Sequence, residues 1–196
     1  MRGIILIEFL QQVEALYGQE TADSIIESAH LPSEGIYNPA DTYDFRELVL
    51  LVRELSARTD FTVQELQTRF GGHLFQRFAE SFPYFLEGAE SALHLIGGIQ
   101  DFLRQKVLRY YPDTEMPDFD CSWNASGELE LLFRSPRPLT DVVHGLLAGC
   151  LEHFQEEIQI QRRPILRGHR DGVLFSFKPK STRQSLALPT RQSEKP

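Results

Sequence analysis

The feature that most narrows the fold is a change of period near Asp118. Before it, apolar residues recur at steps of three and four: Ile5, Phe9, Val13, Leu16 and Tyr17 on one stretch, Leu48, Leu51, Val52 and Leu55 on another. After it, Asp118 to Trp123 and Glu128 to Phe133 read as short extended runs on either side of Asn124-Ala125-Ser126-Gly127. The first spacing lines one face of a helix; the second, with turn residues between, makes a hairpin. Helices first and then a mainly antiparallel sheet is an α+β pattern, with a helical N-terminal part and a C-terminal sheet.

Punctuation along the chain divides it further. Gly18 stops the first helix, and Thr21 to Ala29 forms a second. Pro32 to Asp41, rich in Pro, Ser, Gly and Asn, is a loop. A third helix runs from Asp44 to Thr59, and Thr62-x-x-Glu65 reads as a capping box opening a fourth. That fourth helix carries Leu66, Phe70, Leu74, Phe75, Phe78 and Phe82 before Pro83 breaks it. Glu90 to Tyr110 is helical, weakened by Gly97-Gly98. The strand ending at Phe133 is followed by a helix from Thr140 to about Glu157. Ile158 to Arg167 and Val173 to Lys178 then form a second hairpin. Residues 1–178 are expected to make one domain, and Pro179 to Pro196, polar and basic, a flexible tail.

Composition excludes several functions. The 196 residues carry a net charge of -8, without the basic footprint that nucleic acid requires. Cys121 and Cys150 have neither metal-type spacing nor the number needed for a disulfide framework, which suits free thiols in a reducing compartment. Ile4 to Leu10 is broken by Glu8 and lacks a secretory cleavage pattern. No apolar run approaches the roughly 18 residues of a membrane span. A cytoplasmic protein is expected, bound to neither membrane nor nucleic acid. The chain has no phosphate loop, nucleophile elbow or His-Glu-x-x-His site, so neither catalytic residues nor a metal site are expected. Glu156-Glu157 and the run Asp113 to Asp120 read as solvated charge.

Five short segments carry a family likeness: Met1-Arg2-Gly3-Ile4-Ile5, Phe70-Gly71-Gly72-His73-Leu74-Phe75, Tyr111-Pro112-Asp113, Pro117, and Phe133-Arg134-Ser135-Pro136-Arg137. Together they make the chain resemble the H-NOX family, bacterial heme–nitric oxide/oxygen sensors related to the regulatory domains of soluble guanylate cyclase. The resemblance covers about residues 1 to 178. It implies the H-NOX fold around a heme-type pocket between the helical part and the sheet. It places Ile5 and Phe78 against the distal side of the porphyrin, Leu146 near it, and Pro117 against the proximal face. Read without the resemblance, each of these is plain core. The family's Tyr-x-Ser-x-Arg motif, which binds the heme propionates, corresponds to Phe133, Ser135 and Arg137. Arg supplies bidentate charge-assisted bonds to a carboxylate and Ser one more donor; otherwise they are a turn Ser and a solvated Arg.

Two departures matter. Phe133 lacks the hydroxyl of the motif Tyr. The family's iron-ligating His lies thirteen residues before the Pro that matches Pro117, and counting back gives Arg104. Heme iron needs a donor lone pair, and a guanidinium offers donors only. Arg104 either lies on the outer face of its helix or points inward against a carboxylate. No His lies between Gln100 and Leu108. His94 and His144 are the alternatives, and His153 and Cys150 follow on the same helix as His144. Val142 stands where oxygen-binding members tend to carry a Tyr.

The resemblance thus implies a stand-alone H-NOX-like sensory and regulatory protein. It would bind heme and sense nitric oxide, lack the proximal His, and regulate a signalling enzyme such as a histidine kinase or a cyclic-di-GMP enzyme. Two other readings stay open: a heme-free interaction module, and a binder of another amphipathic carboxylate clamped by Arg104 and Arg137. All three require the volume between the helix Glu90–Tyr110 and the helix Thr140–Glu157 to hold a ligand or larger side chains.

Overall fold

The first helix, α1 (Gly3–Tyr17), ends where expected: Gly18 takes φ +88°, a conformation that costs a glycine little. The computed structural model describes residues 1–102, 105, 117–166 and 172–179. Leu6, Phe9 and Val13 of α1 are buried, whereas Leu16, expected on the same face, is exposed. Next come α2 (Gln19–Ala29) and α3 (Arg46–Ser56), the latter shorter at both ends than the expected Asp44–Thr59. The chain's first residues are tied to the loop between them. The Met1 amino group donates to the Tyr43 carbonyl at 2.6 Å, and the Tyr43 N–H returns a bond to Met1 at 2.8 Å.

The fourth helix, α4 (Val63–Ser81), opens on the expected capping box: Thr62 accepts from the Glu65 N–H, and Glu65 accepts from the Thr62 N–H. The expected helix from Glu90 is instead two pieces, α5 (Ala92–Gly97) and α6 (Ile99–Phe102), parted at Gly98. Of the remainder of that expected helix, all but residue 105 lies outside the described residues.

Four antiparallel strands follow, β1 (Asp118–Trp123), β2 (Leu129–Arg134), β3 (Ile158–Ile165) and β4 (Gly172–Pro179), in the order β1-β2-β4-β3. Period-two burial is clear on β2, where Leu129, Leu131 and Phe133 face inward. On β1, Phe119 pairs with Phe133 and Cys121 with Leu131. Pro164 sits on β3, an edge strand, where its missing N–H costs little. Pro179, placed in the tail by composition, closes β4; residues beyond it lie outside the described ones.

The helix α7 (Thr140–His153) joins the parts. It stops short of the expected Glu157 because Gln155 turns to φ +56° and Glu156 becomes a cap: its carboxylate accepts from the Ala92 N–H at 2.6 Å, at the start of α5. Glu156 is therefore not the solvated charge it was read as. Two cores result. One gathers α1 to α4, with Val142 buried in it and Leu146 packed at its margin. The other lies between the sheet and the opposite side of α7, through Val143, Leu147, Cys150 and Leu151. Where α7 crosses α4 the backbones touch. A methyl on Gly71 would collide with the Val142 carbonyl, and one on Gly145 with the Thr68 carbonyl. No helix among the described residues is long and apolar enough to cross a membrane.

Candidate functional site

The turn between β2 and α7 holds Ser135 and Arg137. Ser135 is half-buried, and its Oγ accepts from the Arg137 N–H at 3.1 Å. The Arg137 carbonyl in turn accepts from the Leu139 N–H at 2.8 Å, leading into α7. This local bonding fixes the turn without using the Ser hydroxyl proton. The Arg137 guanidinium lies over the ring of Phe45, its carbon 5.7 Å from the ring centre. Phe45 is the residue immediately before α3, so a contact across 92 positions joins the turn to the helical part.

Phe133, two residues before Ser135, is turned the other way in function. It is 3% exposed and packs on Phe119, ring centres 5.4 Å apart, inside the sheet core. The Phe133 side chain thus contributes packing.

Of the apolar residues expected to line a pocket, Ile5, Phe78 and Leu146 each pack against the helical core. All three are partly buried at the margin of the helical core. Pro117 is half-buried and leads directly into β1. Arg104 lies outside the described residues. Val142 is buried in the helical core, close to the crossing with Gly71.

The histidines considered as alternatives have other surroundings. His94 opens α5, where its N–H donates to Ser91 Oγ at 3.0 Å, and its side chain is exposed. The His144 ring lies 6.1 Å from that of Phe175; burial first, and then Arg162, hold its pKa below the ordinary value. His153 sits between the rings of Phe75 and Phe154. Burial pushes the Cys150 thiol up to about 12 and the Cys121 thiol up to about 11, so both are poor thiolate donors near neutral pH. Among the described residues no group of three or more His, Cys, Asp or Glu is placed to hold a metal. The donors present fit the acidic edge of a heme, through Ser135 and Arg137. A guanidinium at the position expected for the iron ligand would bring no lone pair to the iron.

Several polar groups escaped the sequence reading. Glu8 on α1 accepts from Arg77 Nε at 3.0 Å and lies 3.6 Å from His73 Nε2, pinning α1 to α4. Glu47, 4% exposed, accepts from the hydroxyls of Ser33 and Tyr37 and so closes the loop before α3. Phe45 was missed too. It stands immediately before α3 with helical backbone angles, while Asp44 supplies the capping carboxylate, accepting from the Arg46 N–H at 2.9 Å.

The chain matches the Haem-NO-binding family over residues 2–162. It is also similar to solved structures over nearly all its length. With an Fe(II) unliganded H-NOX protein from K. algicida it shares 30% identity and a TM-score of 0.83, over 92% of this chain and 97% of that one. With an H-NOX from Shewanella woodyi, solved in solution with IWP-051 bound in the Fe(II)CO state, it shares 32% identity and a TM-score of 0.79, over 96% and 98%. An Fe(II)NO structure of an S. oneidensis H-NOX protein gives 26% identity and a TM-score of 0.83, over 92% and 99%. No curated protein matches the chain.

Proposed function

The chain belongs to the Haem-NO-binding family, and from that premise we propose that it is an H-NOX sensory and regulatory protein that holds heme by its acidic edge, with Arg104 in place of the proximal His. The observation that carries this reading is the Ser135–Arg137 turn. Its backbone is fixed by its own hydrogen bonds and its guanidinium lies over the ring of Phe45, while Ile5, Phe78 and Leu146 pack at the margin of the helical core. Heme, when bound, would supply the gas-binding iron. The chain's own residues would anchor the carboxylates through Ser135 and Arg137 and exclude water through the apolar margin. By family, the output is regulation of a signalling enzyme such as a histidine kinase or a cyclic-di-GMP enzyme, without catalysis by this chain.

One observation favours the runner-up, a heme-free interaction module or a binder of another amphipathic carboxylate. Phe133 has become core, so one of the family's three anchors has no polar atom to offer. The visible spectrum of protein purified from heme-supplied cells separates the readings. A Soret band at stoichiometric heme supports the sensor. A colourless protein supports the runner-up, and mass spectrometry of extracted ligand then tells module from carboxylate binder.

A substitution sharpens the same test. Arg104→His introduces the lone pair that guanidinium lacks. A heme titration of parent, Arg104→His and Arg104→His/Phe133→Tyr is expected to show binding that strengthens along the series, with a five-coordinate ferrous spectrum in the His variants and binding of nitric oxide. Equal, weak binding by all three would rule out the family register at residue 104.

A further inference from the structure

We propose that Phe45 is a positioning residue for Arg137, holding its guanidinium in the attitude in which it binds a ligand carboxylate; the inference rests on the heme-edge reading above. An arginine on a turn has several rotatable bonds, and binding a carboxylate with it costs the freezing of them. A guanidinium seated on an aromatic face has paid part of that cost beforehand. The cation is attracted by the face of the ring, whereas a carboxylate takes guanidinium N–H groups, so the two contacts are compatible.

The surroundings suit this role. The backbone of Arg137 is held on one side by the Ser135 hydroxyl and on the other by the Leu139 N–H. Its side chain meets the Phe45 ring within the roughly 6 Å over which a cation and a ring attract. Phe45 is itself fixed by position. It is half-buried at the head of α3, its carbonyl accepts from the Val49 N–H at 3.4 Å, and the next residues, Glu47 and Leu48, are buried. The ring therefore belongs to the rigid helical part, while the arginine belongs to the turn that leads from the sheet into α7.

The test compares two probes on the full chain freed of heme: heme itself, with two carboxylates, and heme dimethyl ester, with none. Each is titrated into the parent, Phe45→Leu, Phe45→Tyr and Arg137→Ala. The parent is expected to prefer the diacid by about tenfold, the size of a charge-assisted hydrogen bond to the ligand. Arg137→Ala sets the floor by erasing that preference. Phe45→Leu keeps apolar volume and removes the ring; it should cut the preference by about threefold to fivefold, as expected for a cation–π contact. Phe45→Tyr should retain the preference, and affinity for the ester should be alike in all four proteins. A diacid preference that survives Phe45→Leu unchanged would overturn the positioning role and leave the heme reading standing. A parent that binds neither probe would overturn both, as would a parent that binds the two equally.

Discussion

The helical core and the sheet core are sealed by different chemistry. Around the helical core, buried or half-buried polar groups act as clasps: Glu47 with Ser33 and Tyr37, Glu8 with Arg77, and Arg58 with Ser24, Ser28 and Glu54. The sheet core is closed by rings, with Phe119, Phe133, Phe175 and Phe177 meeting α7. The difference follows from geometry. Helices that end in loops leave backbone and side-chain donors to be satisfied one by one, whereas a four-stranded ladder satisfies its own backbone and needs only apolar cover on one face. It follows that the helical part depends on direction and the sheet part on volume.

The largest expected effect tests that contrast. Phe175 is fully buried in the middle of the sheet core, and Phe175→Ala should cost about 4 kcal/mol by the cavity it leaves. Glu47→Ala leaves two hydroxyls without their acceptor and should cost about 2 kcal/mol. Urea denaturation measures both, and an equal cost would break the contrast between volume and direction.

The next effect concerns the seam between the cores. Gly145→Ala forces a methyl against the Thr68 carbonyl and should cost about 3 kcal/mol. Gly72→Ala meets nothing closer than 3.8 Å and gains helix propensity, so it should stabilise by about 0.5 kcal/mol. Melting temperatures of the two variants should therefore move in opposite directions. Loss of stability in both would mean that the crossing has no preferred side.

The smallest effect is a pH slope. His144 has its pKa lowered in the fold, first by burial and then by Arg162, so just below its ordinary value of 6.5 the folded chain holds fewer protons than the unfolded one. This stability is present above pH 6.5 and is lost as pH falls below that value. His144→Leu should flatten the fall in melting temperature as pH drops below about 6.5. An unchanged slope would place the acid sensitivity elsewhere.

Much of this was legible in the sequence, for identifiable reasons. The capping box at Thr62 and Glu65 uses residues two or three positions apart, and the hairpin at Asn124–Gly127 is equally local, so both could be read off directly. Ser135 and Arg137 were legible because the spacing of the motif survives. What escaped was set by contacts between distant positions. Glu156 looks like surface charge until the start of α5 is brought to its carboxylate. Phe133 could be recognised as a missing hydroxyl, but its role as packing depended on Phe119 lying opposite. Phe45 was hidden because its partner is on the far side of the chain.

The crossing of α7 over α4 has a last consequence, for cooperativity. Successive residues of α7 serve different cores: Val142 the helical one, Val143 the sheet one, Leu146 and Leu147 likewise. Neither half can let go of this helix without exposing the apolar face that the other half shares. Amide exchange in the two halves should then report one global opening, and the chain should melt in a single event although its interior is built in two pieces. A protein so joined cannot be halved into working modules. Phe133 belongs to that joint interior, its ring packed on Phe119 on the sheet side of the helix.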